Sequence, residues 1–232
     1  MEAVADVSFA LREREILGIV GESGSGKSTL LRMISGLEAP DAGEILLEGK
    51  ALPARRKREH CRAIQMVFQD AAGSFNPRRR ISASIRETVR NLSPDPERVD
   101  LRALAELMQI DPGLAERYPR ELSGGQCQRF AIARAVAVEP RILLCDEITS
   151  ALDVSTQAQI MQLLLNIYRE REMSVVLVSH DLAVVRCLCR RVIVMKDGRI
   201  VEEGTAREII EAPREACTRE LIESILEVRR DA

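Results

Sequence analysis

A glycine-rich stretch near the start of the chain has the residues needed to hold phosphate groups. Residues 21–29 read GESGSGKST and fit the pattern G-x-x-x-x-G-K-[ST]. The apolar run EILGIV precedes them, and a helix is predicted from Lys27 to Gly36, where a glycine ends it. We expect backbone N–H groups, the helix N-terminus and Lys27 to bind nucleotide phosphates, and the Ser28 hydroxyl to bind Mg²⁺. The residues expected to contact the nucleotide here are Gly21, Glu22, Ser23, Gly24, Ser25, Gly26, Lys27, Ser28 and Thr29.

Three other apolar runs end in side chains that could complete this chemistry. RILLCDE ends in Asp146, which could bind Mg²⁺ through water, and in Glu147, which could polarise an attacking water. VVLVSH ends in His180, which could hydrogen-bond a γ-phosphate, and AIQMVFQ ends in Gln69, whose amide could touch Mg²⁺ or the water. A histidine or glutamine at a strand end can also be an ordinary structural residue. The phosphate loop upstream is what favours the functional interpretation of all four.

The elements that must position these side chains have the pattern of an α/β fold. Compact apolar runs are typical of parallel strands buried on both faces, and they occur at 15–20, 141–147, 174–180 and 191–197. Helical stretches such as 154–172 lie between them, and alternation of strand and helix favours α/β. The runs at 43–49 and 63–69 are also predicted to be strands, and the Asp-Gly of KDGRIVEEG predicts a hairpin.

The middle of the chain differs, since residues 70–140 contain no convincing buried strand. Helical spacing occurs at 101–110 and 126–138, whereas the prolines of 91–100 indicate a loop. These features predict an α-helical segment inserted into the α/β fold. Within it, LSGGQ at 122–126 opens a helix with a serine and two glycines. This is a second candidate anion site, because Ser123 can cap the helix and the glycines allow close backbone approach.

The composition of the chain limits which other classes of protein it could belong to. The chain has 232 residues, 46% hydrophobic and 30% charged, which is ordinary for a globular domain. A net charge of −2 offers no global attraction to nucleic acid, and no run reaches the length of a membrane span. The six cysteines form no CxxC pair, and Cys145 lies in an apolar run where a core position is expected. The basic runs 55–59 and 78–80 are expected to be solvated, or the second to face a partner.

In this order, the motifs resemble those of the ATP-binding-cassette (ABC) ATPases. The phosphate loop and the Asp-Glu pair are shared with other ATPases, whereas LSGGQ is the signature of this family alone. SALD at 150–153 matches the family's D-loop, and His180 matches its switch histidine. The resemblance implies two chains facing head to tail, each signature capping the nucleotide on the other's phosphate loop, with ATP and Mg²⁺ bound. It implies that Ser123, Gly125, Gln126 and Asp153 also contact nucleotide, that the catalytic residues are Glu147, His180, Lys27 and Gln69, and that the metal residues are Ser28, Gln69 and Asp146.

The family also implies an architecture. We expect one domain over 1–232, with a mainly parallel sheet and a small antiparallel part. Residues 1–69 and 138–232 would form the nucleotide-binding core, and residues 70–137 the helical subdomain that carries the signature. The helical subdomain and the stretch after Gln69 are where a membrane partner is expected to dock.

The subgroup can be narrowed by longer matches. MVFQDAAGSFNPRRRI and DEITSALDVSTQAQIMQLL are similar to stretches of dipeptide, oligopeptide and nickel importers, and EAPREACTRELIESI is a worn version of their tail motif. This implies an ATPase subunit on the cytoplasmic side of the inner membrane. Its partners would be permease subunits, a second identical or paralogous ATPase and, indirectly, a periplasmic or extracellular solute-binding protein, with no nucleic acid.

Alternatives and departures accompany this interpretation. One alternative is a non-transport ABC ATPase such as an accessory subunit of a phosphonate-breakdown complex. A second is a DNA-repair or chromosome cassette, whose zinc modules or long coiled coils have no room in this sequence. A third is a cassette that binds ATP without turnover, against which the intact Lys27, Asp146, Glu147 and His180 argue. Ile148 stands where the family usually has proline, and the tail lacks the cysteine cluster of some longer importer subunits. The aromatic that stacks on adenine in this family has no counterpart before the phosphate loop, and Phe9 has the setting of a core residue. We therefore expect an upstream start or a truncation.

Overall fold

The computed structural model describes residues 2–228, with side-chain surroundings up to residue 224. The strands in this part of the chain are β1 (Ile16–Gly21), β2 (Leu46–Leu47), β3 (Lys50–Ala51), β4 (Ile64–Val67), β5 (Ile142–Asp146), β6 (Ser174–Val178), β7 (Arg191–Lys196) and β8 (Arg199–Thr205). The α-helices are α1 (Lys27–Ser35), α2 (Arg58–Ala63), α3 (Ile81–Leu92), α4 (Leu101–Leu107), α5 (Gly124–Val136), α6 (Val154–Glu170), α7 (Leu182–Leu188), α8 (Ala206–Glu211) and α9 (Ala216–Val228). Short 3₁₀ helices span Pro96–Arg98, Pro112–Glu116 and Pro119–Glu121. No helix within residues 2–228 is long and apolar enough to cross a bilayer.

Six of the strands form one sheet in the order β4-β5-β6-β1-β7-β8. All neighbouring strands from β4 to β7 are parallel, and β8 adds an antiparallel edge. β2 and β3 form a separate two-stranded antiparallel pair. The mainly parallel sheet and the small antiparallel part were both predicted, and both are confirmed.

The central strands are apolar along their middle positions because both faces of the sheet are covered. Along β5, Leu143 and Cys145 pack into one core while Leu144 packs into the other. β6 and β7 alternate in the same way. This period of two divides each apolar run between two buried layers. The larger layer holds α5 and α6, the smaller holds α1, and Cys145 is fully buried as predicted.

The chain between β4 and β5 is helical, as predicted. α3 and α4 pack on α5, and α5 in turn packs on β4 and α6. One apolar cluster therefore joins these helices to one face of the sheet. It includes Phe75, Met108 and Phe130. The segment 122–126, predicted to be the signature, runs into the first turn of α5.

Two predictions of local structure need correction. The strand predicted at 43–49 is only two residues long, β2, and Leu46 in it is 53% exposed. Its apolar residues lie against one short partner strand rather than inside the sheet, and Glu48 and Gly49 turn the chain back with positive φ. The loop predicted at 91–100 begins with the last turn of α3 and contains a 3₁₀ helix at Pro96–Arg98, since proline is well suited to the first position of a helix.

The predicted hairpin after β7 forms, and its turn supports the phosphate loop. Asp197 and Gly198 both have positive φ, as the tight turn between β7 and β8 requires. The Gly198 N–H donates to the Ser25 carbonyl at 3.2 Å, and the Gly198 carbonyl accepts from Ala5 N–H at 2.8 Å. A Cβ at Gly198 would lie 2.9 Å from the Ala3 carbonyl oxygen. The N-terminal segment and this turn therefore brace the outside of the phosphate loop.

A buried ion pair joins the start of β1 to the start of β7. Arg191 donates from Nε and Nη2 to the two carboxylate oxygens of Glu15, both at 2.9 Å, and Glu15 is 8% exposed. The Arg12 N–H donates to the same carboxylate. Burial raises the pKa of Glu15, but these hydrogen bonds outweigh it and hold the pKa below its ordinary value.

Candidate nucleotide-binding and catalytic site

The carboxyl ends of four parallel strands meet at one edge of the sheet, and the predicted site residues at the strand ends lie along this edge. β1 runs into the phosphate loop, β5 ends at Asp146, and β6 is followed two residues later by His180. β4 is followed two residues later by Gln69 at the same edge. Ligands of open α/β sheets bind at this edge. Residues more than a hundred positions apart are thus brought together by strand order alone.

The phosphate loop ends in a helix whose first N–H groups have no side-chain cap. Gly26 occupies the N-cap position of α1 with φ 97°, a conformation that strongly favours glycine. The first N–H groups of any α-helix lack partners inside it, and here no side chain substitutes for one. They are therefore available to an anion, which the partial positive charge of the helix end also attracts.

Lys27 is folded into the same loop. Its ammonium donates to the carbonyls of Gly21 at 2.9 Å and Glu22 at 2.7 Å and to Ser25 Oγ at 3.3 Å, and the residue is only 5% exposed. Burial lowers the pKa of Lys27, while the nearby carboxylates of Glu147, Asp146 and Glu22 partly offset that effect. The loop thus holds a positive charge at its centre.

Ser28 and Asp146 meet across the first turn of α1. The Ser28 hydroxyl donates to Asp146 Oδ1 at 2.9 Å, and Asp146 is 7% exposed. Burial raises the pKa of Asp146 and so does the neighbouring Glu147, although the hydrogen bond from Ser28 opposes this. A carboxylate kept in such surroundings is stabilised by any cation that binds beside it.

Glu147 has an unusual backbone conformation. Its φ is +46°, in the left-handed region that non-glycine residues seldom adopt, and its N–H donates to the Val178 carbonyl at 3.1 Å. The carboxylate of Glu147 lies 3.7 Å from His180 Nδ1. Strain of this kind clusters at functional sites. It turns the Glu147 side chain toward the histidine at the end of the adjacent strand.

Gln69 reaches the same group of residues through Ser150. The Gln69 amide donates to Ser150 Oγ at 3.1 Å, and the Ser150 hydroxyl donates to the Glu147 carbonyl at 3.0 Å. The predicted role of Gln69 at a metal or water remains untested by these contacts. They show that it is linked to Glu147 by two hydrogen bonds.

The signature segment forms a second, separate helix start. Ser123 accepts from Gln126 N–H at 3.3 Å, and Gln126 Oε1 accepts from Ser123 N–H at 2.9 Å, which is a capping box. The predicted cap is therefore confirmed. A Cβ at Gly125 would lie 2.7 Å from Thr156, so the segment packs against the start of α6. There Asp153 caps α6 by accepting from Thr156 N–H at 2.9 Å.

The donor set fits a nucleotide with Mg²⁺ better than it fits a metal held by protein alone. Within the described residues, no cluster of three or more His, Cys, Asp and Glu side chains could hold a metal ion. Mg²⁺ instead takes one or two protein oxygens and completes its shell with water and phosphate oxygens. Ser28 Oγ and Asp146 Oδ1 are such a pair, beside a loop that fits phosphates.

Comparison with known proteins decides the family. The sequence pattern described as ABC transporter matches residues 4–150 of the chain. This chain belongs to the ABC transporter family. The oligopeptide transport ATP-binding protein OppF of Haemophilus influenzae is 43% identical, over 97% of this chain and 70% of its own length. OppF of Escherichia coli is 44% identical over the same shares of the two chains.

Solved structures agree with this assignment of an ABC ATPase. A dimeric ATP-binding cassette in a post-hydrolysis state, bound to ADP and Pi, superposes with a TM-score of 0.78 at 33% identity, covering 88% of this chain and 91% of its own. CbiO1 of Clostridium perfringens, part of an ABC transporter complex, superposes with a TM-score of 0.79 at 28% identity, covering 99% and 90%. The α/β cassette fold of this chain is that of the family.

Sequence reasoning missed two features of the site, the place of Ser150 and the backbone conformation of Glu147. Ser150 was seen only as part of SALD, and its place between Gln69 and Glu147 depends on contacts across 81 residues of sequence. Nothing local signals the left-handed backbone of Glu147 in this chain. Ile148, which departs from the family's proline, is 2% exposed and packs in the larger core layer, so it fixes this exit from β5 by burial.

Proposed function

We propose that this ABC family member is the ATP-hydrolysing subunit of an importer for oligopeptides or a related small solute such as nickel. The observation that carries the proposal is the hydrogen bond of 2.9 Å between Ser28 and Asp146, with Glu147 next in the chain. It supports the proposal because two oxygens of the kind that Mg²⁺ prefers, with a carboxylate next in the chain that could act as a base, lie beside a phosphate loop. The relatives named as oligopeptide transport ATP-binding proteins support the cargo class.

The proposed reaction is hydrolysis of ATP by positioning and electrostatic stabilisation. Lys27 and the N–H groups at the start of α1 bind the β- and γ-phosphates. Ser28 and Asp146, with Gln69, would hold Mg²⁺, which neutralises phosphate charge when bound. Glu147 accepts a proton from the attacking water as the water oxygen bonds to the γ-phosphorus and the bond to ADP breaks. His180 hydrogen-bonds the γ-phosphate.

We further propose that the site is completed by a second ATPase subunit, identical or paralogous. Ser123 is exposed, and its hydrogen bonds run to its own helix at Gln126. Ser123 and Gly124 at this helix start are exposed and therefore accessible to a second chain. Ser123, Gly125, Gln126 and Asp153 of one chain would close over nucleotide on the phosphate loop of the other.

The remaining partners follow from the importer role. Residues 1–69 and 138–232 would form the nucleotide-binding core and residues 70–137 the helical subdomain. Permease subunits would dock on the helical subdomain and on the stretch after Gln69. The chain would then sit peripherally on the cytoplasmic side of the inner membrane, and a periplasmic or extracellular binding protein would act through the permease.

Reconstitution tests this proposal. The chain is purified from its native cells with the membrane proteins that accompany it, these are identified by mass, and the complex is placed in lipid vesicles. ATP-dependent uptake of a labelled oligopeptide is expected, with labelled Ni²⁺ as the alternative cargo. Lys27→Ala is the matched control and should abolish uptake without dissociating the complex. Robust ATP hydrolysis with no co-purifying permease, or uptake unaffected by Lys27→Ala, would contradict the proposal.

A further inference from the structure

Arg134, near the end of helix α5, joins this helix to the turn that follows Gln69. Its Nη1 donates to the Ser74 carbonyl at 2.7 Å and its Nη2 to Ser74 Oγ at 3.0 Å. The guanidinium carbon lies 4.4 Å from the centre of the Phe75 ring. Burial lowers the pKa of Arg134. One side chain of the helix thus holds two consecutive residues of the turn by three contacts.

The contacts explain why this position carries arginine. A planar guanidinium donates two parallel hydrogen bonds and stacks on a ring at the same time, whereas the point charge of a lysine cannot do both. All three contacts are to neutral groups, so displacing Ser74 and Phe75 would leave a half-buried cation without its partners. Moving α5 together with the turn avoids that cost.

Hydrogen bonds inside the turn hold it in one conformation, so a displacement of one of its residues moves the whole turn. Asp70 Oδ1 accepts from Gly73 N–H at 2.8 Å, and the Ser74 hydroxyl donates to the Ala71 carbonyl at 2.7 Å. Phe75 is 3% exposed and belongs to the larger core layer. We call residues 70–75 the clamp turn. It begins directly after Gln69, which is hydrogen-bonded to Ser150.

We propose that Arg134 is a positioning residue that makes the clamp turn and helix α5 move as one body. A partner that docks on the stretch after Gln69 would then shift Ser123, which lies eleven residues before Arg134 and so about 16 Å away along α5. The same turn adjoins Gln69 and, through Ser150, Glu147. Arg134 therefore couples the docking surface to the signature segment. This inference rests on the proposed function for its partner, but its mechanical part concerns the isolated chain alone.

The first experiment uses the isolated chain and no partner. Amide hydrogen exchange is measured with and without Mg-ATP in the wild type, in Arg134→Lys and in Phe75→Leu. The matched control is Arg129→Lys, which alters another arginine of α5. Arg129 is buried and donates to the Met108 carbonyl and to Gln159 instead. In the wild type and the control, the clamp turn and the first turn of α5 should change exchange together.

In Arg134→Lys and Phe75→Leu, the first turn of α5 should still respond to Mg-ATP while the clamp turn no longer follows. The KM for ATP should stay within about twofold, because neither residue touches the phosphate loop, whereas general misfolding would raise KM and lower the melting temperature. A clamp turn that follows α5 in both variants as it does in the wild type would overturn the inference. So would a wild type in which the two segments respond independently.

The second experiment measures how strongly the membrane partners stimulate ATP hydrolysis in the reconstituted complex. Arg134→Lys should reduce this stimulation by about 2- to 30-fold, the range expected for residues that carry coupling, while Arg129→Lys should preserve it. Equal loss in both variants would contradict a specific role for Arg134. A wild type that is not stimulated would contradict the proposed function, and the exchange experiment would still decide the mechanical inference.

Discussion

Replacing Glu147 by glutamine should leave ATP binding intact and nearly abolish turnover. Glutamine has the size and shape of glutamate, so the strained backbone at φ +46° and the hydrogen bond to Val178 are expected to persist. What is lost is the carboxylate that takes the proton from water. Loss of a general base lowers the rate by about 10²- to 10⁴-fold, or about 3–5 kcal/mol of barrier. The variant should accumulate as an ATP-stabilised dimer.

A second substitution at the same position separates catalysis from folding. Left-handed backbone at a non-glycine residue costs about 1–2 kcal/mol, which Glu147→Gly would recover. Glycine also destabilises the fold by about 0.5–1 kcal/mol, because it has more conformational entropy in the unfolded chain. The net gain of roughly 1 kcal/mol corresponds to a melting temperature about 2–4 °C higher for a chain of this size. Glu147→Gly should therefore be inactive and yet at least as stable as the wild type.

The assay combines phosphate release, equilibrium ATP binding, gel filtration with ATP and thermal melting. Both variants should bind ATP within a few-fold of the wild type and differ from it mainly in kcat. Turnover of Glu147→Gln within about threefold of the wild type would refute the role of Glu147 as base. A melting temperature several degrees lower in Glu147→Gly would refute the reasoning about backbone strain.

Three other predictions concern the rest of the molecule. Ser123→Arg should block hydrolysis, and mixing it with Lys27→Ala should restore part of the activity through one intact composite site; mixed dimers with no rescue at any ratio would contradict a signature that acts between chains. Glu15→Gln leaves a buried arginine half-paired and should lower the melting temperature by roughly 6–12 °C at pH 7, at about 3 kcal/mol. Because the pKa of Glu15 is lower in the folded state, the ion pair stabilises the fold fully above the ordinary carboxyl pKa, and this stability is lost as pH falls through the folded-state pKa. The difference in melting temperature between Glu15→Gln and the wild type should therefore shrink below about pH 4.5. A constant difference from pH 7 to pH 3 would exclude this linkage. Gly198→Ala should weaken ATP binding, measured by titration, because its methyl group displaces the N-terminal segment that braces the phosphate loop, and unchanged affinity would show that this brace is dispensable.

The parts of the site that sequence predicts best are those at strand ends. The stretch ILLC at 142–145 is apolar at each position because alternate residues enter opposite core layers, so its end is marked by the first acid, Asp146. Since parallel strands share one carboxyl edge, the convergence of Asp146, His180 and the phosphate loop follows from fold class alone. The cap of Ser123 on Gln126 is equally local, and its spacing of three residues is visible in the sequence.

What could not be predicted depends on contacts between distant segments. The apolar spacing of 43–49 is that of a strand, yet only Leu46 and Leu47 pair, because a strand is completed by neighbours that its own sequence does not contain. The stacking of Arg134 on Phe75 joins residues of two elements, and neither has a pattern that points to the other. The left-handed backbone of Glu147 is accompanied by a hydrogen bond from its N–H to Val178 in the adjacent strand, which the local sequence does not contain.

The place of β1 in the sheet has a consequence for synthesis of the protein. The strands on either side of β1 are β6 and β7, and they begin about 150 and 170 residues after β1 ends. At about 5–20 residues per second, a newly made β1 waits roughly 8–30 s for its first neighbour. During that time the apolar β1 segment is outside the ribosome with neither of its edges hydrogen-bonded to another strand, and a strand in this state is prone to aggregation. The nascent chain is therefore expected to need a chaperone at β1, and to complete its nucleotide site only after β5 and β6 have been made.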